Sequence, residues 1–292
     1  MLTFETPEPI SLEVKVAIAN VHLTAGERAD TTVDVLPTDP ARAADVTAAA
    51  EMRVEYGNGC LSIRYPRPWR QYGWWGKRSS VDLWVELPAG SRVNCDAGMA
   101  AFESLGRLGE CRVASGGGSI RVAEAGPAQL ETGAGDVVAD RILDGVSVRT
   151  GTGAVRVGSA HGTVTVRNAN GETEVGEATG KVEVHAANGR ILIGHAQDAV
   201  LARTAHGDVE IGQVEAGTVS VRTAMGKVEI GVRAGVVAWL DIATKFGHVR
   251  NDLDTAEQPE GAQPTVQVHV DTDYGDISIH RATSDDRRDV TA

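Results

Sequence analysis

The sequence predicts an all-β chain: a parallel β-solenoid of two-strand coils, capped at its N-terminal side by an irregular β region with one short helix. Three observations predict it. Glycine recurs at a near-fixed interval: Gly118, Gly135, Gly153, Gly171, Gly189, Gly207, Gly226, Gly247 and Gly275, in steps of 17, 18, 18, 18, 18, 19, 21 and 28 residues. Around each glycine, β-branched apolar residues alternate with polar ones, the period of a strand. The segments leading into the glycines, such as Gly151-Thr152-Gly153 and Ala187-Asn188-Gly189, suit tight corners.

With the glycine as position zero, minus seven reads Cys111, Ala128, Val146, Val164, Val182, Val200, Val219 and Leu240. Minus five reads Val113, Leu130, Val148, Val166, Val184, Ala202, Val221 and Ile242. Plus two runs from Ile120 to Val249, and plus four from Val122 to Ile230 before Asn251 breaks it. Each coil therefore has one strand before its glycine and one after. A lone coil cannot bury its apolar face; coils stacked in parallel, about 4.8 Å apart, can. Parallel crossovers favour a right-handed β-helix, with an up-and-down antiparallel stack as the alternative.

Taken in order, residues 1–92 lack the period and read as the cap. Strands are expected at 10–24, 31–36, 51–56, 60–65 and 80–87. A short helix over 41–50 has Asp39 as its cap and Pro40 in first position. The solenoid spans 93–281, with an insertion from Asn251 to Pro264 and a last coil from Val266 to Ile279. Residues 282–292 read as a disordered tail.

Composition narrows the function. The 292 residues carry 40 acidic and 28 basic side chains, a formal charge of −12, which argues against nucleic acid as a partner. Three cysteines, Cys60, Cys95 and Cys111, make no disulfide framework, and Cys111 falls in an inward column. No apolar run is long enough to span a membrane. The N-terminal stretch has neither a basic region nor an apolar run, so a cytoplasmic protein is expected.

Two candidate contact sites stand out. The segment 66–79 between two cap strands holds Trp69, Arg70, Tyr72, Trp74, Trp75, Lys77 and Arg78, with four basic residues and no acidic one. Aromatics interleaved with cations suit a protein contact or peripheral contact with an anionic membrane, with Trp74 and Trp75 as anchors. The same rings could instead fold down over the end of the core. The second candidate is the outward minus-four column, Arg149, Arg167, His185, Arg203 and Arg222, which would present a cation every ~5 Å to an anionic partner.

Other constellations read as structure. The minus-three column, Ser115, Thr132, Thr150, Asn168, Ala186, Thr204, Thr223 and Thr244, shares the inward parity, and its polar members should bond to corner backbone or to each other. Gly133-Ala134-Gly135-Asp136 does not recur as a calcium repeat must. The plus-one acids Asp136, Glu172 and Asp208 have no catalytic company, and His185, His195 and His206 form no zinc column. No cofactor, metal or catalytic residue is expected.

The recurring Asn188-Gly189 and His206-Gly207 corners, each followed by x-Val/Ile-x-Ile-Gly as in Gly207-Asp208-Val209-Glu210-Ile211-Gly212, carry a resemblance. So do the opening Pro9-Ile10-Ser11-Leu12-Glu13-Val14 and the strand end Val85-Glu86-Leu87-Pro88-Ala89-Gly90-Ser91. Over nearly its whole length the chain resembles the bacterial putative-adhesin family of β-strand-repeat proteins, which has no assigned activity. The resemblance implies the fold and a surface-exposed adhesive role. The expected function is a non-enzymatic binding or scaffold protein. The alternatives are a self-associating, filament-like element and, less favoured, a polysaccharide-active β-helix enzyme.

Overall fold

The computed structural model describes residues 1–65, 79–253 and 265–282. It divides into two compact units, Met1–Gly153 and Ala154–Ala292.

The first unit contains β1 (Leu2–Glu5), β2 (Ser11–Gly26), β3 (Asp30–Pro37), α1 (Ala43–Glu51), β4 (Arg53–Gly57), β5 (Cys60–Arg64), β6 (Val81–Pro88) and β7 (Arg92–Leu108). The regular strands β8 (Cys111–Ser115), β9 (Ile120–Ala125), β10 (Ala128–Ala134), β11 (Val137–Ile142) and β12 (Val146–Thr152) follow. Parallel pairing sets the register. Cys111 stands between Val93 and Ala128, and Val113 between Cys95 and Leu130. The inward columns are buried as their alternation requires, and burial pushes the Cys95 and Cys111 thiols up to about 12.

Parallel stacking begins earlier in the chain than the glycine count does. β2 lies beside β7 in coil register, Leu12 on Val93 and Val14 on Cys95. On its other side β2 pairs in parallel with β5 and β6. The reason is local. Ala19 and Ala100 occupy position zero of these two coils, so neither chain turns through a left-handed glycine and each runs on as one long strand. Beyond them the pairing turns antiparallel: β4 on β5, β3 on β6 and β1 on β3. β1 was not expected from the sequence.

The helix starts later than expected. The Asp39 carboxylate accepts the Ala41 N–H at 2.9 Å, making a turn where the helix was to begin. α1 then opens at Ala43 without a side-chain cap. Its buried Asp45 accepts the Ser80 N–H at 3.0 Å, tying the helix to the strand entry beside it.

The second unit holds β13 (Val155–Ala160), β14 (Val164–Asn170), β15 (Thr173–Ala178), β16 (Val182–Asn188), β17 (Ile191–Ala196), β18 (Val200–His206) and β19 (Val209–Val214). It continues with β20 (Gly217–Met225), β21 (Val228–Val232), β22 (Val237–Phe246), β23 (Val249–Asn251), β24 (Thr265–Tyr274) and β25 (Ile277–Arg281). Val166, Val184, Ala202 and Val221 form one buried column, neighbour on neighbour.

Chain order and stacking order part company after β21. β24 pairs with β20 on one side and β22 on the other, and β25 sits likewise between β21 and β23. The last coil in sequence is thus the second-last in space. This order buries Val266, Val268, Val270, Ile277 and Ile279 and leaves outermost the strand that carries Asp241 and Lys245 on its outer face.

The corners explain the glycine period. Gly207 has φ +148°, and a Cβ there would collide with the carbonyl oxygen of Gly189 one coil below. The inward threonines reinforce the same corners: Thr132 donates to the Gly118 carbonyl at 3.1 Å and Thr223 to that of Gly207 at 3.4 Å.

Candidate functional site

The outward side of the first strands in the second unit brings three columns together. At minus four, the ladder register sets Arg167 beside His185, His185 beside Arg203 and Arg203 beside Arg222. The next neighbour is Asp271, because β24 intervenes before β22. At minus two come Ala187, Ala205 and Ala224, all exposed. At minus one come Asn170, Asn188, His206, Met225, Tyr274 and Phe246 in stacking order. The alanines form a low floor between taller side chains. A shallow depression of about 350 Å³ lies there, lined among others by His185, Arg203, Arg222, Ala205, Ala224 and Lys245.

Charge along the ladder is uneven. Arg222 meets Asp271 at 3.3 Å, and Lys245 meets Asp273 at 2.5 Å across the end of the depression. His185 bonds to Glu183 at 3.0 Å; that bond, with a second from Lys181, holds the Glu183 carboxyl below its usual range. Arg167 and Arg203 are exposed and have no ion-pair partner among the described residues. Arg149 belongs to the first unit, where Glu131 on the neighbouring strand pairs with it at 3.6 Å. Of the predicted cations, the structure therefore gathers Arg167, Arg203 and Arg222. The other predicted contact residues, Trp69, Arg70, Tyr72, Trp74, Trp75, Lys77 and Arg78, lie outside the described residues.

Sequence reasoning missed the minus-one column. It changes from a hydrogen-bonded asparagine pair, Asn188 Nδ2 to Asn170 Oδ1 at 2.9 Å, to the exposed apolar run Met225, Tyr274 and Phe246. The Tyr274 and Phe246 rings stack with centroids 4.8 Å apart and 9° between planes. Position minus one was available in the glycine register, but reading it in chain order separates Met225 from Tyr274.

Two plus-one acids, Asp208 and Asp276, are occupied by the backbone. Asp208 accepts the Lys227 N–H at 2.7 Å and Asp276 the His248 N–H at 2.9 Å, each clasping a neighbouring coil; that bond lowers the Asp276 pKa. On the second strands, His195 and Arg233 both hold Glu215, at 2.7 Å each, and Gln213 adds a bond at 3.2 Å. Among the described residues no three His, Cys, Asp or Glu side chains are grouped to hold a metal ion. No helix among them is long and apolar enough to cross a membrane.

The family follows from a sequence comparison over the same coils. Residues 10–280 match the model of the Toastrack DUF4097 family. The chain belongs to that family. No curated protein matches the Toastrack chain with significance. Among solved structures it is similar to one named "putative lipid binding protein" from Parabacteroides distasonis, at 11% identity and TM-score 0.38, covering 97% of this chain and 96% of the other. It is also similar to a "putative adhesin" from the same organism, at 12% identity and TM-score 0.30, covering 95% of each chain. A third, a "putative cell adhesion protein" from Clostridium sporogenes, has 8% identity and TM-score 0.25, covering 96% of this chain and 98% of the other.

Proposed function

We propose that this Toastrack protein is a non-enzymatic binding protein whose second unit presents the Arg167–Arg222 ladder to an anionic partner surface. One observation carries the reading: Arg167 and Arg203 stand exposed and without a carboxylate partner among the described residues, in a column that otherwise pairs its charges. Guanidinium groups two coils apart in Arg167 and Arg203, and one coil apart in Arg203 and Arg222, suit a row of carboxylates or phosphates, which they bind through paired N–H donors. A shallow alanine floor gives such a partner room without enclosing it, unlike the concave pocket of an enzyme. The plus-one acids Asp208 and Asp276 hold backbone, and the Cys95 and Cys111 thiols are buried, so these groups supply no ready catalyst.

The test is recovery of partners from the native cell with Arg167→Glu and Arg203→Glu combined. Recovery should fall to background while the melting temperature stays within about 2 °C of the parent, as for exposed substitutions. Undiminished recovery would sink the ladder as a contact. The segment 66–79 is a second proposed contact. Replacing Trp74 and Trp75 by Ser should reduce recovery, or binding to anionic vesicles, without loss of stability; a lower melting temperature with binding kept would make it a cover for the core instead.

A further inference from the structure

β22 is the outermost strand of the second unit. One edge pairs with β24, and among the described residues no strand pairs with the other. The Phe246 carbonyl accepts the Gly275 N–H at 3.0 Å. By the alternation of a parallel ladder, the even-numbered residues of β22 then face β24, and the backbone N–H and C=O of Trp239, Asp241, Ala243 and Lys245 face the open edge. This edge runs ten residues without proline, and such an edge is a template for another strand. Trp239 and Phe246 beside it are 65% and 62% exposed.

We infer that the same edge of a second copy covers it, antiparallel about a two-fold axis at Ala243. Charge selects this register. With the axis at Ala243, Asp241 stands opposite the partner's Lys245, and the reverse holds by symmetry. Moving the axis two residues either way sets Asp241 against its own copy, or Lys245 against its own, which is unfavourable across a strand pair. The remaining pairs also fit. Trp239 lies opposite the partner's Gly247, where a ring can cover a residue lacking a side chain, and Leu240 lies opposite the partner's Phe246. The contact is isologous, so each copy uses up its open edge and assembly stops at a dimer instead of continuing as a filament. This goes beyond the anionic-partner reading and does not depend on it.

Sedimentation of the full chain in the micromolar range should give twice the 30.7 kDa chain mass. Lys245→Asp places like charges opposite at both ends of the pairing and should weaken self-association roughly tenfold or more. Adding Asp241→Lys to it should restore the dimer. Ala243→Cys should oxidise to a covalent dimer, because facing residues of a hydrogen-bonded antiparallel pair lie about 5.5 Å apart, within disulfide reach. A wild-type chain that stays monomeric at hundreds of micromolar would overturn the inference and leave the edge to another occupant. So would a dimer that is indifferent to Lys245→Asp. If Lys245→Asp fails to fold, the Ala243→Cys cross-link decides, and its absence counts against the pairing.

Discussion

Leu61 and Ile63 in β5 and Leu240 and Ile242 in β22 are the same residue pair at the same coil positions, minus seven and minus five. Each pair sits in the outermost coil of its own unit. Leu61 and Ile63 are both 0% exposed, whereas Leu240 and Ile242 are only half-buried. The difference lies on the far side. β4 runs antiparallel along β5, with Tyr56 opposite Leu61 and Val54 opposite Ile63, while β22 has no such neighbour among the described residues. Alternation within a coil decides which way a side chain points; the next strand decides how much water it loses. Full burial of one such side chain contributes about 1.5–3 kcal/mol, so two identical pairs differ in worth.

The largest effect belongs to the interior, where both neighbours are in place. Val184 is flanked by Val166 and Ala202 and is fully buried. Val184→Asp should cost more than about 4 kcal/mol and leave the chain unfolded or molten. A variant that melts like the parent would show the column to be misassigned. Matched truncations separate the covered strand from the open one. Ile63→Ala should cost about 2–4 kcal/mol, whereas Ile242→Ala should cost about 1 kcal/mol or less in the monomer, measured by denaturant titration. Equal costs would mean that another part of the chain covers β22.

The smallest expected effect is electrostatic. The Glu215 network ties β17, β19 and the end of β21 on their outward side, with three groups on one carboxylate. Partial burial alone would raise the Glu215 pKa, but the hydrogen bond from His195 and the charges of His195 and Arg233 outweigh it, so the folded value lies below the usual one. A lowered folded pKa stabilises the fold fully above the ordinary glutamate range, and that contribution is lost as pH falls through the folded value. Melting followed from neutral pH downward should decline through this window. Glu215→Gln should flatten the decline and lower stability near pH 7 by about 1 kcal/mol or less.

Much of this fold was legible because the corner glycines are obligatory. At Gly207 a left-handed backbone and a carbonyl beneath it leave no room for a side chain, so spacing in sequence reports spacing in space. Legibility failed where that constraint lapses. Ala19 and Ala100 take the corner position in β2 and β7, and the count therefore opens two coils late. It failed again at β24, whose residues obey the coil pattern but whose place in the stack is set by which strand pair buries more. No local signal records that choice. The cation ladder was readable for the same reason as the core, since outward positions share the period. The neutralising Asp271 was not, because it reaches Arg222 only through the exchanged stacking order.

Cross-linking within the chain reports the exchanged stacking order of β20, β24 and β22. Ser220 and His269 are register partners on adjacent strands, with Cα atoms about 4.8 Å apart, inside disulfide range. Asp241 is the next partner beyond His269, about 9–10 Å from Ser220. The chain carrying Ser220→Cys and His269→Cys should form an internal disulfide on mild oxidation with its melting temperature unimpaired, while Ser220→Cys with Asp241→Cys should remain reduced within the monomer. The reverse outcome, closure of 220 with 241 and none of 220 with 269, would mean that the coils stack in chain order and that β24 does not lie between β20 and β22.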